Sequence, residues 1–378
     1  MMPSVTTIAP AGAGTRTATR TPTPEAISAP ASREFAVTLR PLPGESIAEV
    51  FHRLARTLHG ATILKLMIFG ATAASAAATA AMQRTFGHVD WPVSWIEGNS
   101  CQSLPIAGIH AFALTSDDVD RIWIDGHVVG TVFHDDIARH CLLGGVVPSR
   151  RFPARADQAK HTLVQLDADL AQAGFALADI VRTWFYLEDI LSWYDEFNRV
   201  RTEIYHGIQF RTGSLPASTG IGARNPHGTA LILGARASQP LPDSPHAEEI
   251  GSPLQCPAPA YGSSFSRAME IPTSSGRILT ISGTASIAPG GETLWQDDIH
   301  KQIELTMQTV AAILQSRGRS FGDVTRAVAY FKNPADMPAF AQWCAAHGLA
   351  ELPVIPVQGT ICRDNLLFEL EADAIQPG

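Results

Sequence analysis

One pattern that returns along the chain restricts most of what these 378 residues can fold into. HTLVQLDADLAQAGFALADIVRTWFYLEDI (161–190) and IELTMQTVAAILQSRGRSFGDVTRAVAYFKNP (303–334) share one order. An amphipathic run is followed by a glycine, a small-residue turn holding Asp, and then β-rich residues. At a constant offset Gln158 falls on Gln302, Gly174 on Gly318, Asp179 on Asp323, Arg182 on Arg326 and Tyr186 on Tyr330. Before each run stands a hydrophobic strand with a Gly turn, CLLGGVVP (141–148) and ILTISGTASIAP (278–289). A helical period switching to a β-branched and aromatic run is the signature of a helix packed on its own sheet.

A third copy lies upstream. SIAEVFHRLARTLHG (46–60) and ATILKLMIFG (61–70) lead into an Ala-rich helix and WPVSWIEGNSCQSLPIAGIHAFAL (91–114). That last stretch aligns without gaps on LPVIPVQGTICRDNLLFELEADAI (352–375), placing Cys101 on Cys362 and Gly108 at the position of Glu369. The middle copy has LPASTGIG (215–222) in this place, and residue Ile232 near the Glu369 position. The expected architecture is therefore α/β, a sandwich of helices on sheets in tandem modules that form an internal pseudo-trimer. The boundaries read as a disordered tail at 1–34, a module at 35–115 lacking its opening hairpin, a second at 116–238, a linker at 239–259, and a third at 260–378.

Composition excludes several classes. Only 17% of residues are charged, below the roughly 25% of an average soluble chain. A net charge of −8 leaves no basic footprint for nucleic acid. Five Cys without a CxxC pair suit neither a disulfide framework nor a zinc ribbon, which points to a reducing, cytoplasmic setting. The Thr/Ala/Pro-rich start lacks the apolar stretch of a secretory signal, its alternative being an organelle transit peptide. Ala61–Met82 is apolar, but Lys65 and Gly70 divide it into a strand and a helix, so no membrane span is expected. His134, Asp135, Asp136 and His140 lack metal-ligand spacing, and neither a dinucleotide fingerprint nor a GxSxG elbow is present, so no metal and no cofactor are expected.

SGTASI (282–287), Gln302, the glycine-to-valine run at 318–324 and the ending LLFELEADA (366–374) resemble the RidA/YjgF superfamily. RTWFYL (182–187), the Phe197–Arg201 spacing, LPASTGIG, YGSSFSRA (261–268) and ICRDNLLFELEA (361–372) resemble its chorismatase branch more specifically. That resemblance implies release of pyruvate from chorismate without a cofactor. It implies Glu369 as the acid and Cys362 as the residue that favours 3-hydroxybenzoate over a dihydroxycyclohexadiene carboxylate. Planar Arg forks suit a carboxylate substrate, and Arg267, Arg182, Arg201 and Arg363 are the candidates, with Tyr261 and Ala285 beside them. Trp184, Phe185 and Tyr186 are candidate ring walls, Glu371 is a reserve acid, and Cys141, Cys256 and Cys344 are expected in the core. The chain is expected to act as a monomeric pseudo-trimer or a higher homo-oligomer. Two other functions fit the superfamily: an enamine or imine deaminase, disfavoured because Pro353–Val357 lacks Arg, and a non-catalytic small-molecule binder.

Overall fold

The computed structural model describes residues 4–6, 32–100, 104–149 and 151–377. Most of the expected tail, and Cys101, lie outside the described residues. The chain forms three sheets, each covered on one face by two helices. Module one runs β1 (Ser4–Thr6), β2 (Glu34–Leu39), α1 (Ile47–Thr57), β3 (Thr62–Gly70), α2 (Ser75–Phe86), β4 (Val93–Glu97) and β5 (Ile106–Leu114). Module two runs β6 (Asp120–Ile124), β7 (His127–His134), β8 (Ala138–Val146), α3 (Arg155–Ala171), β9 (Ile180–Leu187), α4 (Tyr194–His206), β10 (Ala217–Gly222) and β11 (Leu231–Pro240). Module three runs β12 (Glu248–Ile250), β13 (Ala268–Thr273), β14 (Gly276–Ala285), α5 (Ile299–Ser316), β15 (Val324–Phe331), α6 (Met337–Ala346), β16 (Val354–Gln358) and β17 (Phe368–Pro377). Strand orders are β1-β2-β5-β3-β4, β10-β9-β11-β8-β7-β6 and β12-β13-β14-β17-β15-β16.

The matched residues of the repeat perform matched jobs. Gln302 Nε2 donates to the Asn365 carbonyl at 2.9 Å while its Oε1 accepts from Leu367 N–H at 2.8 Å, pinning α5 to the entry of β17. Gln158 accepts from Ala230 N–H at 2.9 Å and pins α3 to the entry of β11 in the same way. Asp179 and Asp323 each accept from a backbone N–H three residues back, at 2.9 and 2.8 Å, closing the turn before β9 and β15. Buried amides and carbonyls must find partners, so these polar residues recur wherever the backbone path recurs.

Two boundary expectations are corrected. Module one does not lack its opening strand: β1 pairs antiparallel with β2 and covers an edge that would otherwise stand open. The stretch expected as a linker carries β12, which pairs with β13, and a helical turn at Ala258–Tyr261. The expected strand and helix within Ala61–Met82 are β3 and most of α2, and among the described residues no helix is long and apolar enough to cross a membrane.

Each module has its own core between helices and sheet, and a further buried cluster draws on all three modules. Its centre follows the register. Lys65 opposite Phe112, Arg182 opposite Arg236 and Arg326 opposite Asp373 stand at equivalent positions of β3, β9 and β15. Four residues further along each strand, Phe69, Tyr186 and Tyr330 meet edge to face. Phe69 lies 6.1 Å from the Tyr186 ring and 6.3 Å from the Tyr330 ring, and the two Tyr hydroxyls are 2.9 Å apart. The modules thus surround one pseudo-threefold axis.

At the position equivalent to Glu369, β5 has Gly108, and a Cβ there would stand 2.7 Å from the fully buried Ile355 of module three. Ile355 is β-branched and has little freedom to yield. Gly108→Ala is therefore expected to destabilise the chain by about 1–3 kcal/mol, as overpacking does, measured by denaturant melts.

Candidate functional site

β17 alternates apolar and acidic residues. Phe368, Leu370, Ala372 and Ala374 pack in the module-three core with α5, so period 2 turns Glu369, Glu371 and Asp373 to the face between modules. The inner two acids are both ion-paired. Arg182 Nη2 lies 2.7 Å from Glu371, Arg326 Nη1 2.9 Å from Glu371, and Arg326 Nε 2.7 Å from Asp373. Thr219 Oγ1 donates to Glu371 at 2.5 Å and accepts from Arg182 at 2.6 Å.

Glu369 differs from both. It is 5% exposed and has no ion-pair partner among the described residues. Burial, then the charge of Glu371, push its carboxyl up to about 8 against the opposing pull of Arg182 and Arg267. A carboxylic acid that keeps its proton at neutral pH is a donor in waiting. Its seat is cut to shape: β14 slips register against β17 between Ile281 and Thr284, and a Cβ on Gly283 in that bulge would collide with Glu369 Oε1. Ala285 stands directly opposite Glu369 on β14.

Glu369 opens into a pocket of about 60 Å³ at the boundary of modules two and three. Module two supplies Tyr194 and Arg201 from α4 and Ser218 and Gly220 from β10. Module three supplies Tyr261, Phe265, Arg267, Ala285, Cys362, Arg363 and Glu369. The boundary is sewn by backbone: Gly222 and Thr360 exchange N–H···O bonds of 2.7 and 3.0 Å, and Ser266 N–H donates to the Pro216 carbonyl at 3.0 Å.

Three guanidinium groups face this space, each aimed by a neutral acceptor. Arg267 Nε and Nη2 both donate to the Cys256 carbonyl, at 3.1 and 2.9 Å, with the group over Tyr261 and Phe265. Arg363 Nη1 donates to the Gly291 carbonyl at 2.7 Å, and Arg201 Nη2 to Asn198 Oδ1 at 2.7 Å. None of the three has an acidic partner among the described ion pairs, so their charge is available to an anion. Cys362 also lines the pocket. Burial, then the Glu369 charge, push its thiol up to about 12, which makes it a neutral thiol and no nucleophile.

Of the residues singled out in sequence, Glu369, Cys362, Arg267, Arg201, Arg363, Tyr261 and Ala285 come together here. Arg182 does not: it belongs to the axial cation layer and is spent on Glu371 and Thr219. Trp184, Phe185 and Tyr186 do not form the walls either, because β9 is buried on both faces, Phe185 under α4 and the other two at the molecular centre. Glu371 is committed to its ion pairs. Cys141 and Cys344 are core residues, while Cys256 is half-buried and acts through its carbonyl. Tyr194, Thr219 and Lys65 were missed. Lys65 was findable, since KLMIF aligns on RTWFY and RAVAY, and Thr219 lies inside the motif LPASTGIG; Tyr194 had no signal apart from the copy it lies in. Among the described residues no group of three or more His, Cys, Asp or Glu is placed to hold a metal.

Comparison with known proteins agrees with this geometry. Residues 144–231 and 257–376, more than half of the chain, match the family described as Endoribonuclease L-PSP. A chorismatase of Streptomyces hygroscopicus is 24% identical over 311 residues, covering 75% of this chain and 86% of that one. A chorismatase of Streptomyces rapamycinicus is 26% identical over 217 residues, covering 51% and 63%. The crystal structure of a chorismatase at 1.08 Å resolution superposes with a TM-score of 0.66 at 19% identity, covering 92% of this chain and all of the other. The resemblance read from the motifs is borne out, and so is the tandem-module fold.

The raised carboxyl of Glu369 carries a stability signature. A free glutamate releases its proton near 4.5, whereas the folded chain holds it until about 8. Between those values the folded state binds one proton more than the unfolded state, so rising pH costs stability. Glu369→Gln escapes that cost. Its melting temperature relative to the unsubstituted chain should climb from about pH 5 and level off above about 8 in thermal melts across that range.

Proposed function

This chain belongs to the Endoribonuclease L-PSP family, and we propose that within it the protein works as a chorismatase, releasing pyruvate from chorismate without a cofactor. The observation that carries this reading is a single buried carboxyl, Glu369, pushed by burial towards its protonated form, in a cleft whose three guanidinium groups lack acidic partners among the described residues. A dicarboxylate with a proton-hungry double bond matches that pairing of one acid donor and several fixed cations.

Arg267 and Arg201, on opposite walls, hold the two substrate carboxylates and orient the ring. Glu369 delivers its proton to the methylene carbon of the enolpyruvyl ether, and the adjacent carbon becomes an oxocarbenium ion. Water adds to that carbon and its proton returns to the Glu369 carboxylate. The hemiketal then collapses to pyruvate and the ring alcohol. Capture by the neighbouring ring hydroxyl instead, its proton returning to Glu369, forms a cyclic ketal. Loss of the proton on the ether-bearing ring carbon then breaks the bond between the neighbouring ring carbon and its oxygen, which takes up a proton. The aromatic hemiketal collapses to 3-hydroxybenzoate and pyruvate without net consumption of water. Cys362 favours this second course as a neutral thiol beside the ring, which limits the room for a bulk water.

Incubation with chorismate, followed by assay of pyruvate and chromatography of the ring product, tests the reading. Pyruvate with 3-hydroxybenzoate is expected; absence of pyruvate over the uncatalysed rate overturns it. Glu369→Gln should lower kcat by about 10²–10⁴-fold, the range lost with a general acid, while leaving the chain folded. Cys362→Ala should shift the ratio of 3-hydroxybenzoate to diol product more than it changes total pyruvate release. An unaltered ratio would return Cys362 to a packing role.

A further inference from the structure

Directly beneath Glu369 lies a layer that the chemistry above leaves unused. Glu371 is two residues further along β17 on the same face, about 7 Å along the strand. Three donors converge on its carboxylate: Arg182 Nη2 at 2.7 Å, Arg326 Nη1 at 2.9 Å and Thr219 Oγ1 at 2.5 Å. Two of them, Arg182 and Thr219, come from module two. Thr219 Oγ1 also accepts the Gly283 N–H at 3.0 Å, and Gly283 is the residue whose missing side chain makes room for Glu369. One hydroxyl therefore ties together the inner acid, the module boundary and the seat of the outer acid.

We propose that Glu371 is a positioning residue for Glu369: its clamped negative charge, fixed across the boundary of modules two and three, adds to burial in holding the neighbouring carboxyl in its proton-donating form. This rests on Glu369 being the proton donor of the proposed reaction. Two carboxylates so close on one buried face do not both ionise readily, and the cations have gone to Glu371.

The remaining groups that face Glu369 do not supply that negative charge. Arg267, just ahead of β13, and Arg182 from β9 favour the ionised form. Tyr194 on α4, Tyr330 opposite on β15 and Cys362 are all pushed up by burial and stay neutral. Arg201 and Arg363 complete the pocket as further cations. Asp373, beyond Glu371, is neutralised by Arg326. Lys65 reaches the same layer from β3, and burial followed by the Arg326 charge push its amine down to about 7, so it titrates in the same window.

The test uses thermal melts of the full chain from pH 5 to 9, with no substrate. In each background the melting temperature of the Glu369→Gln form minus that of its Glu369 parent isolates Glu369, because the titration of Lys65 is common to both. In the native background the difference should level off near pH 8. With Glu371→Gln it should level off about one pH unit lower, the smaller end of what a like charge nearby commonly does. Glu371→Asp keeps the charge and should restore the native plateau. Because Glu371→Gln strands Arg182, the pair Glu371→Gln with Arg182→Met provides a second background without that orphaned cation, in which the plateau should fall by less, since Arg182→Met also removes a cation that favours ionised Glu369. A plateau at the native pH in both charge-free backgrounds overturns the proposal. A displaced plateau in a chain that releases no pyruvate from chorismate discards the proposed function and keeps the coupling. An undisplaced plateau in a chain that does release pyruvate discards the coupling alone.

Discussion

The buried ion cluster of Lys65, Arg182, Arg326, Glu371 and Asp373 governs how the three modules meet. Its five charged groups come from β3, β9, β15 and β17, at most 8% exposed, and they match only when those strands share one register. Burying such ions is expensive, and their attraction returns little beyond that cost. Breaking the set by a slip is another matter, since an uncompensated buried charge costs about 3–5 kcal/mol. The cluster therefore contributes registry more than stability. Lys65, whose amine has no hydrogen-bond partner among the described residues, leans on the Trp184 ring at 4.3 Å.

Registry at the axis is what makes the three boundaries unlike each other. Pseudo-symmetry offers the outer position of the last strand three times, as Gly108, Ile232 and Glu369. At the first, Ile355 fills the space that a side chain would need. At the second, an isoleucine joins the shared apolar cluster. At the third, Gly283 withdraws and an acid takes the space. A repeated scaffold has been specialised by single side chains, while the helices, turns and glutamine pins of modules two and three stayed the same.

That history explains what the sequence displayed. The pins Gln158 and Gln302 and the turn closers Asp179 and Asp323 recur because they satisfy backbone groups at fixed places, so alignment of the copies exposed the fold. Glu369 stood out for the opposite reason, as the residue at its position that broke the repeat. Arg182 was misjudged as a substrate ligand because an arginine in a strand motif looks the same whether it faces a ligand or a neighbouring module's carboxylate. Trp184 and Tyr186 were misplaced on the same account, since only the assembled modules bury both faces of β9. The strand β1 was invisible because three residues far from their partner in sequence carry no period to recognise.

The grip of the Cys256 carbonyl on Arg267 has a consequence for how this site is inherited. A main-chain oxygen is indifferent to the side chain attached to it, so position 256 is free to change identity while its place in space is held. Two guanidinium nitrogens are oriented by an atom that every amino acid possesses. Replacing the side chain at position 256 would leave this grip in place, whereas inserting or deleting a single residue between β12 and β13 would swing the cation out of line. The segment that reads as a spacer is the ruler of the pocket.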